Sequence, residues 1–164
     1  MVGKCRPQVG ICIARWMGRL KVSAISSMLS FTGLLLFLLG LLAGFVIPAF
    51  ASPRLGLSAH VTGMQSGIAL LAVGLLWPRL RFWGGWSVPT AYGLWISLYV
   101  IFVGMTLGAV WATGRSLSIA GGGVPAQPWQ ESVVFVLIVV GSIGTAAAIA
   151  AILIQWNWVG IERA

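Results

Sequence analysis

Carboxylates are almost missing from this chain. Its 164 residues contain no Asp, and Glu131 and Glu162 are the only acids. Most two-carboxylate chemistry, EF-hand loops and carboxylate metal cages cannot be assembled from that supply. Histidine is as scarce, with His60 alone, and the two cysteines, Cys5 and Cys12, both stand near the N-terminus. A zinc centre, a Cys-ligated cluster and a haem clamped between two histidines of one chain are thereby excluded, and no disulfide framework is implied. No nucleotide, flavin or metal-binding motif occurs, so no cofactor and no metal site is expected. Charged residues of all kinds amount to 7%. A soluble domain carries about a quarter, so a water-soluble globule is excluded as well.

What fills the space is apolar: 59% hydrophobic residues, nine Trp, seven Phe and 22 Gly, with a mean hydropathy of +1.01. A helix needs about 20 apolar residues to cross the hydrocarbon core. Four uncharged stretches qualify, at about 29–50, 57–77, 91–112 and 132–154. The breaks between them are marked by Pro48 and Ser52-Pro53-Arg54, by Pro78-Arg79-Leu80-Arg81, by Gly114-Arg115, and by Pro125 and Pro128. The expected fold is an all-α membrane protein, a bundle of four transmembrane helices in antiparallel hairpins. It comprises a basic leader over 1–28, a transmembrane domain over 29–156 and a short tail over 157–164. Small residues at helical spacing, Gly40 with Gly44, Gly63 with Gly67, and Gly144 with Ala148 and Ile152, allow backbones to approach closely in lipid. Such glycine-rich faces would also serve a homo-oligomer.

Basic residues set the expected orientation. With the N-terminus inside, Lys4, Arg6, Arg15, Arg19, Lys21, Arg79, Arg81 and Arg163 are cytoplasmic, and only Arg54 and Arg115 lie outside. Both termini are therefore expected on the cytoplasmic face of a bacterial-type inner membrane. Five of these charges belong to the leader, where Ile13, Trp16, Met17, Leu20 and Ala24 share one helical face. That pattern suits a short interfacial helix on anionic lipid; a solvated basic tail, or sequence upstream of a start at Met28, is the alternative reading. Ala49-Phe50-Ala51 resembles a signal cleavage site, but the apolar run before it exceeds the 7 to 15 residues of a signal core. The basic residues border the membrane, which gives no support to nucleic-acid binding. The lipid bilayer itself is the expected partner.

In a four-span array the start of the second helix, the end of the third and the start of the fourth lie on one side of the membrane. Arg54, His60, Thr113, Arg115, Trp129, Gln130 and Glu131 share that side, and His60 and Glu131 could meet there. His60 lies on the helical face of Gly56, Gly63, Gly67 and Gly74, so its imidazole points into the bundle. It is either an acid/base or a core histidine bonded to a backbone carbonyl. Glu131, at a helix start, either complements the helix dipole or works as the acid. Arg54 is either a headgroup anchor or the charge that orients Glu131. Ser58, Thr62 and Gln65 form a second polar stripe, which places protein on both sides of the second helix. In the third helix Tyr92, Tyr99, Thr106 and Thr113 recur every seven residues beside Trp95 and Phe102. This seam either lines an aromatic cavity or is ordinary packing with an interfacial belt. Trp77, Trp83, Trp86, Trp156 and Trp158 read as belt residues.

Three segments carry a family resemblance: Leu38-Leu39-Gly40-Leu41-Leu42-Ala43-Gly44-Phe45, Ser52-Pro53-Arg54-Leu55-Gly56-Leu57-Ser58-Ala59-His60, and Gly74-Leu75-Leu76-Trp77-Pro78-Arg79-Leu80. They resemble the hydroxylaminobenzene mutases, small integral membrane enzymes that isomerise hydroxylaminobenzene to 2-aminophenol. The second segment is the specific one, and weaker similarity continues through Ala109-Val110-Trp111 and Trp129-Gln130-Glu131. In the family pattern an acid follows the histidine by two positions, where this chain has Thr62, and an Asn lies near Ser66. The resemblance implies a small aromatic substrate and an intramolecular hydroxyl transfer. This is redox-neutral overall, which suits a chain without cofactor motifs. An acid, aromatic walls and a dry pocket are what the chemistry asks for. His60, Glu131 and Arg54 are the expected catalytic group, and Tyr99, Trp129, Thr62 and Gln65 the expected substrate contacts. The competing readings are a non-catalytic membrane subunit or scaffold, and a small multidrug exporter. The exporter is disfavoured because it would need a carboxylate deep within a span.

The orientation has a direct check. A reporter active only outside the membrane should be active when fused after Arg54 and silent when fused after Gly84.

Overall fold

A computed structural model shows the chain to be all-helical among the described residues, which are 7–80, 85–114 and 126–161, with side chains described over 22–80, 85–114 and 126–154. Four helices follow one another: α1 Pro7–Phe45, α2 Pro53–Leu76, α3 Ser87–Trp111 and α4 Pro128–Ile161. All four contain segments long and apolar enough to cross a membrane: Val22–Phe45, Pro53–Arg79, Ser87–Trp111 and Pro128–Ile154. Their outer surfaces are studded with large apolar side chains, among them Phe31, Phe45, Leu75, Ile143 and Ile154, each more than half exposed. Water would not tolerate such a surface and lipid requires it. The chain is an integral membrane protein.

The helix ends follow local chemistry. α1 stops at Phe45, ahead of a 3₁₀ turn at Ile47–Ala49 that contains Pro48. α2 takes Pro53 at its first position, where no backbone N–H is needed. α4 opens the same way with Pro128, and the Gln130 Oε1 accepts the Gln127 N–H at 2.9 Å. That is the returning half of a capping box. α3 closes at Ala112, in the left-handed conformation at φ 52°. Residues 7–21 continue α1 as one helix with the first span, while the leader's apolar face lies outside the described side chains.

The deciding contact is between α1 and α2. Gly33, Gly40, Gly63, Gly67 and Gly74 each meet backbone of the partner helix. A Cβ on Gly67 would stand 2.5 Å from the Phe37 backbone nitrogen, one on Gly40 2.6 Å from that of Met64, and one on Gly74 2.7 Å from Ser30 Oγ. Ser30 faces Gly74, Phe37 faces Gly67, Gly40 faces Gly63, and Gly44 faces His60. The pairs step down one helix as they step up the other, so the two lie antiparallel in a single register. The glycine rows that would have served an oligomer are therefore occupied within the chain.

α3 joins this pair through Phe102, whose ring lies on Gly63. Leu29, Leu36, Leu70, Leu94 and Leu98 fill the shared core. Among the described residues α4 packs on α3, and none of its Cα atoms there lies within 8 Å of one in α1 or α2. There Gly141 and Gly144 admit Ile101 and Ser97, and Ala148 and Ile152 are buried, so this small-residue row is also a packing face. Trp77, read from sequence as a belt residue, is fully buried. The 3₁₀ turn Trp77–Arg79 folds back against α1, which carries the indole into the core. Trp86 is 63% exposed, as a belt residue should be.

Two substitutions separate these surfaces. Gly67→Ala puts a methyl group against backbone and should lower stability by about 1–3 kcal/mol, the usual cost of overpacking. Gly93, with open space around it, should accept Ala within about 0.5 kcal/mol. Denaturant titration of the detergent-solubilised protein, followed by circular dichroism, measures both.

Candidate functional site

His60 sits where the glycine row of α2 is interrupted. Its neighbours on that face are Gly56 and Gly63, and opposite it α1 presents Gly40 and Gly44. The imidazole occupies the space Gly44 leaves: a Cβ there would lie 2.7 Å from Nδ1. Nδ1 in turn lies 2.7 Å from the Gly40 carbonyl oxygen. A carbonyl only accepts, so the ring proton belongs on Nδ1 and the Nε2 lone pair is left for chemistry. A histidine oriented this way through its other nitrogen can take up a proton, or ligate a single metal-bearing group. Among the described residues no cluster of three or more His, Cys, Asp or Glu exists that could hold a metal ion by itself.

Two further bonds of the same type lock the surrounding helices. Ser26 Oγ donates to the Gly74 carbonyl at 2.7 Å, pinning the far end of the α1–α2 pair. The Tyr99 hydroxyl donates to the Thr32 carbonyl at 2.8 Å, tying α3 to α1. Tyr99 is thus a brace between helices. Tyr92, Trp95 and Tyr99 form an edge-to-face ladder with centroid spacings of 6.0 and 5.9 Å, and the Thr106 hydroxyl returns to its own helix at the Phe102 carbonyl. Of the seven-residue seam of α3, Tyr99 and Thr106 are held by backbone carbonyls, while Tyr92 is exposed.

The side of the bundle expected to gather the polar residues does gather their helix ends. The Ser52 N–H donates to the Ala109 carbonyl at 3.1 Å, fixing the entry of α2 against the exit of α3. Trp111 and Trp129 meet edge to face at 5.3 Å, fixing that exit against the start of α4. Thr113 is fully buried here, and Glu131 is only 8% exposed. Gln130 bonds back to the Gln127 N–H, and Glu131 stands beside it in the first turn of α4.

His60 and Glu131 share this end on separate helices. α3 stands between their helices, their Cα atoms are more than 8 Å apart, and the imidazole is turned toward α1. Arg54 is exposed and makes no ion pair among the described residues. Thr62 and Gln65 project from other faces of α2 than His60, with Gln65 exposed. Arg115 lies outside the described residues. The imidazole thus sits at the α1–α2 contact, and Trp111 meets Trp129 where α3 ends and α4 begins. Sequence reasoning missed Gly44 as the residue that makes room for the imidazole, and did not place the Phe102 ring on Gly63, one turn along α2 from His60. The pairing Gly44–His60 was encoded in the antiparallel register, which two spans alone do not reveal.

Comparison with known proteins agrees with this architecture. Residues 25–156 match the styrene oxide isomerase family. The chain belongs to that family. It is 39% identical to hydroxylaminobenzene mutase HabA of Ectopseudomonas oleovorans over 108 residues, covering 65% of this chain and 80% of the mutase. With hydroxylaminobenzene mutase HabB of the same organism it shares 42% identity over 109 residues, 65% of this chain and 66% of the relative. No solved structure matches. Membership makes the chain a membrane isomerase, and the scaffold and exporter readings fall away.

The imidazole geometry can be read directly. Nitrogen-15 spectra of histidine-labelled protein should show the Nδ1–H tautomer, and Gly44→Ala should abolish that signature while the helical content stays unchanged. An Nε2–H tautomer in the unaltered protein would contradict the bond to Gly40.

Proposed function

We propose that this isomerase acts on an arylhydroxylamine of the hydroxylaminobenzene type and moves the hydroxyl group from nitrogen to the ortho carbon. The observation that carries the reading is the His60 imidazole, fixed through Nδ1 at the α1–α2 contact and presenting Nε2, in a chain whose named relatives are hydroxylaminobenzene mutases. The atoms balance without a co-reactant. The N–O bond breaks, a C–O bond forms at the ortho carbon, and the ortho hydrogen leaves as a proton while one proton is gained at nitrogen. Nitrogen gains the two electrons that the ring carbon gives up. His60 Nε2 is placed to take the ortho proton and return it to nitrogen, since its lone pair is left open by the Nδ1–H bond to Gly40. Phe102, packed one helical turn from His60, supplies a ring face for the positive charge that builds as the N–O bond opens. An apolar surrounding excludes water, which would otherwise supply the incoming oxygen. Thr62 replaces the acid of the family pattern, so the proton for the departing oxygen must come from another group in this chain.

The same reading places the enzyme in a bacterial inner membrane with both termini cytoplasmic, supported by the distribution of Lys and Arg. An aromatic substrate that partitions into lipid would then reach His60 from the bilayer side.

The test is turnover by the purified detergent-solubilised protein, with hydroxylaminobenzene and, for comparison, styrene oxide as substrates. Hydroxylaminobenzene should be converted to 2-aminophenol and be the better substrate. In oxygen-18 water the product oxygen should remain unlabelled, whereas full solvent label would discard intramolecular transfer. His60→Ala should reduce kcat by a factor of roughly 10² or more, the usual size of a general acid–base contribution, with unchanged circular dichroism.

A further inference from the structure

His60 stands between two glycines on its face of α2, and each of them seats an aromatic ring from another element. Gly63, one turn further into the span, carries the Phe102 ring; a Cβ there would lie 2.7 Å from Phe102 Cε2. Gly56, one turn toward the helix start, carries the ring of Phe50, whose Cδ2 would lie 2.5 Å from a Cβ. Gly56 differs from the glycines of the α1–α2 contact. α1 has ended at Phe45, one residue past the glycine that faces His60, and the three atoms nearest a Cβ on Gly56 all belong to the Phe50 ring. The missing side chain admits a ring here, where at Gly63, Gly67 and Gly74 it admits the backbone of α1. Phe50 lies in the link between the 3₁₀ turn and α2; its neighbours Ala49 and Ala51 are exposed, while Phe50 is half-buried. That link is held on both sides of the ring. The Phe50 N–H donates to the Ile47 carbonyl at 3.2 Å and the Ser52 N–H to the Ala109 carbonyl at 3.1 Å.

The two glycine seats are seven residues apart, about 10 Å along α2 at 1.5 Å per residue. Paired aromatic rings keep their centroids about 4.5–7 Å apart, so one ring held between two others takes up at least about 9 Å. We propose that Phe50 is the specificity-determining residue of the His60 site: with Phe102 it forms two walls that accept a single flat aromatic ring beside the imidazole. A group with bulk out of the ring plane exceeds that spacing. Phe50 offers contact area and a ring face but no proton, so it selects the substrate without taking part in the hydroxyl transfer. Its effect on turnover rests on the arylhydroxylamine reading given above, whereas its effect on binding does not.

Kinetics of the purified detergent-solubilised full chain test it first. Phe50→Ala should raise KM for hydroxylaminobenzene about tenfold, the size of one lost aromatic contact, with kcat within about threefold of the unaltered value. The unaltered protein should prefer hydroxylaminobenzene to its para-tert-butyl derivative; Phe50→Ala should shrink that preference about tenfold, and Phe50→Tyr, which keeps the ring, should preserve it. A loss shared equally by both substrates, or a kcat that falls while KM holds, would overturn the proposal. Should Phe50→Ala lose its helical content, Phe50→Leu, which removes the ring and keeps most of the volume, is read in its place. Binding is read at His60, the only histidine of the chain, in the nitrogen-15 spectrum. Phenol should shift its resonances in the unaltered protein, cyclohexanol at equal concentration should not, and Phe50→Ala should erase the difference. If the unaltered protein converts neither arylhydroxylamine, the substrate reading falls and the binding result decides the wall by itself. Equal shifts from phenol and cyclohexanol, or a difference that survives Phe50→Ala, would overturn it.

Discussion

The distance at which the α1 and α2 backbones meet governs the rest of this molecule. In lipid there is no hydrophobic gain from pressing one apolar helix against another, so association has to come from dispersion contacts and interhelical hydrogen bonds. Both demand closeness. Gly33, Gly40, Gly63, Gly67 and Gly74 remove the side chains that would hold the helices apart. At that spacing short donors reach carbonyls of the neighbouring helix, as Ser26 reaches Gly74 and His60 reaches Gly40. Each such bond in a membrane protein contributes on the order of 1 kcal/mol. The larger effect is geometric, because a bond at each end of the contact leaves the pair no freedom to slide.

His60 uses this contact for another purpose. Of the residues on its row it is the one with a large polar side chain, and it fits because Gly44 gives up the facing volume. Packing that would otherwise be uniform is opened at one point and filled by an imidazole whose tautomer the backbone selects. The site is thus made by α1 as much as by the helix that bears the histidine. α3 enters through Phe102 on one side and through the Ser52–Ala109 bond at the α2 entry, so three helices set the position of one ring.

Much of this was legible beforehand. The four spans follow from uncharged length, their breaks from proline and arginine, and the inward direction of His60 from its glycine neighbours at helical spacing. The segment from Ser52 to His60 was enough to point to the family. What sequence could not supply was the order of helices around the bundle. Parity puts His60 and Glu131 at one end, but only the packing of α4 on α3 shows that a helix separates them. Tyr99 looked like a cavity residue because tyrosines in a span seek partners; the partner proved to be the Thr32 carbonyl. Trp77 looked interfacial because it ends an apolar run, and the 3₁₀ turn after α2 draws it inward instead. Gln130 reaches back to the Gln127 N–H at the start of α4, a local bond that composition does not reveal.

The one-sided attachment of α4 has a mechanical meaning. Fewer of its apolar residues are buried than in α3, and among the described residues it makes no Cα approach to α1 or α2. Removing it would uncover one side of α3 and leave the Ser26, His60 and Tyr99 bonds untouched, since all three join the first three helices. Protein stability is distributed in cooperative units, and the unit with the fewest packed neighbours opens at the lowest free energy. Drawn from the membrane by force at its C-terminus, the chain would yield in two unequal steps: α4 peels away first at low load, and the three-helix remainder resists until the glycine contact shears.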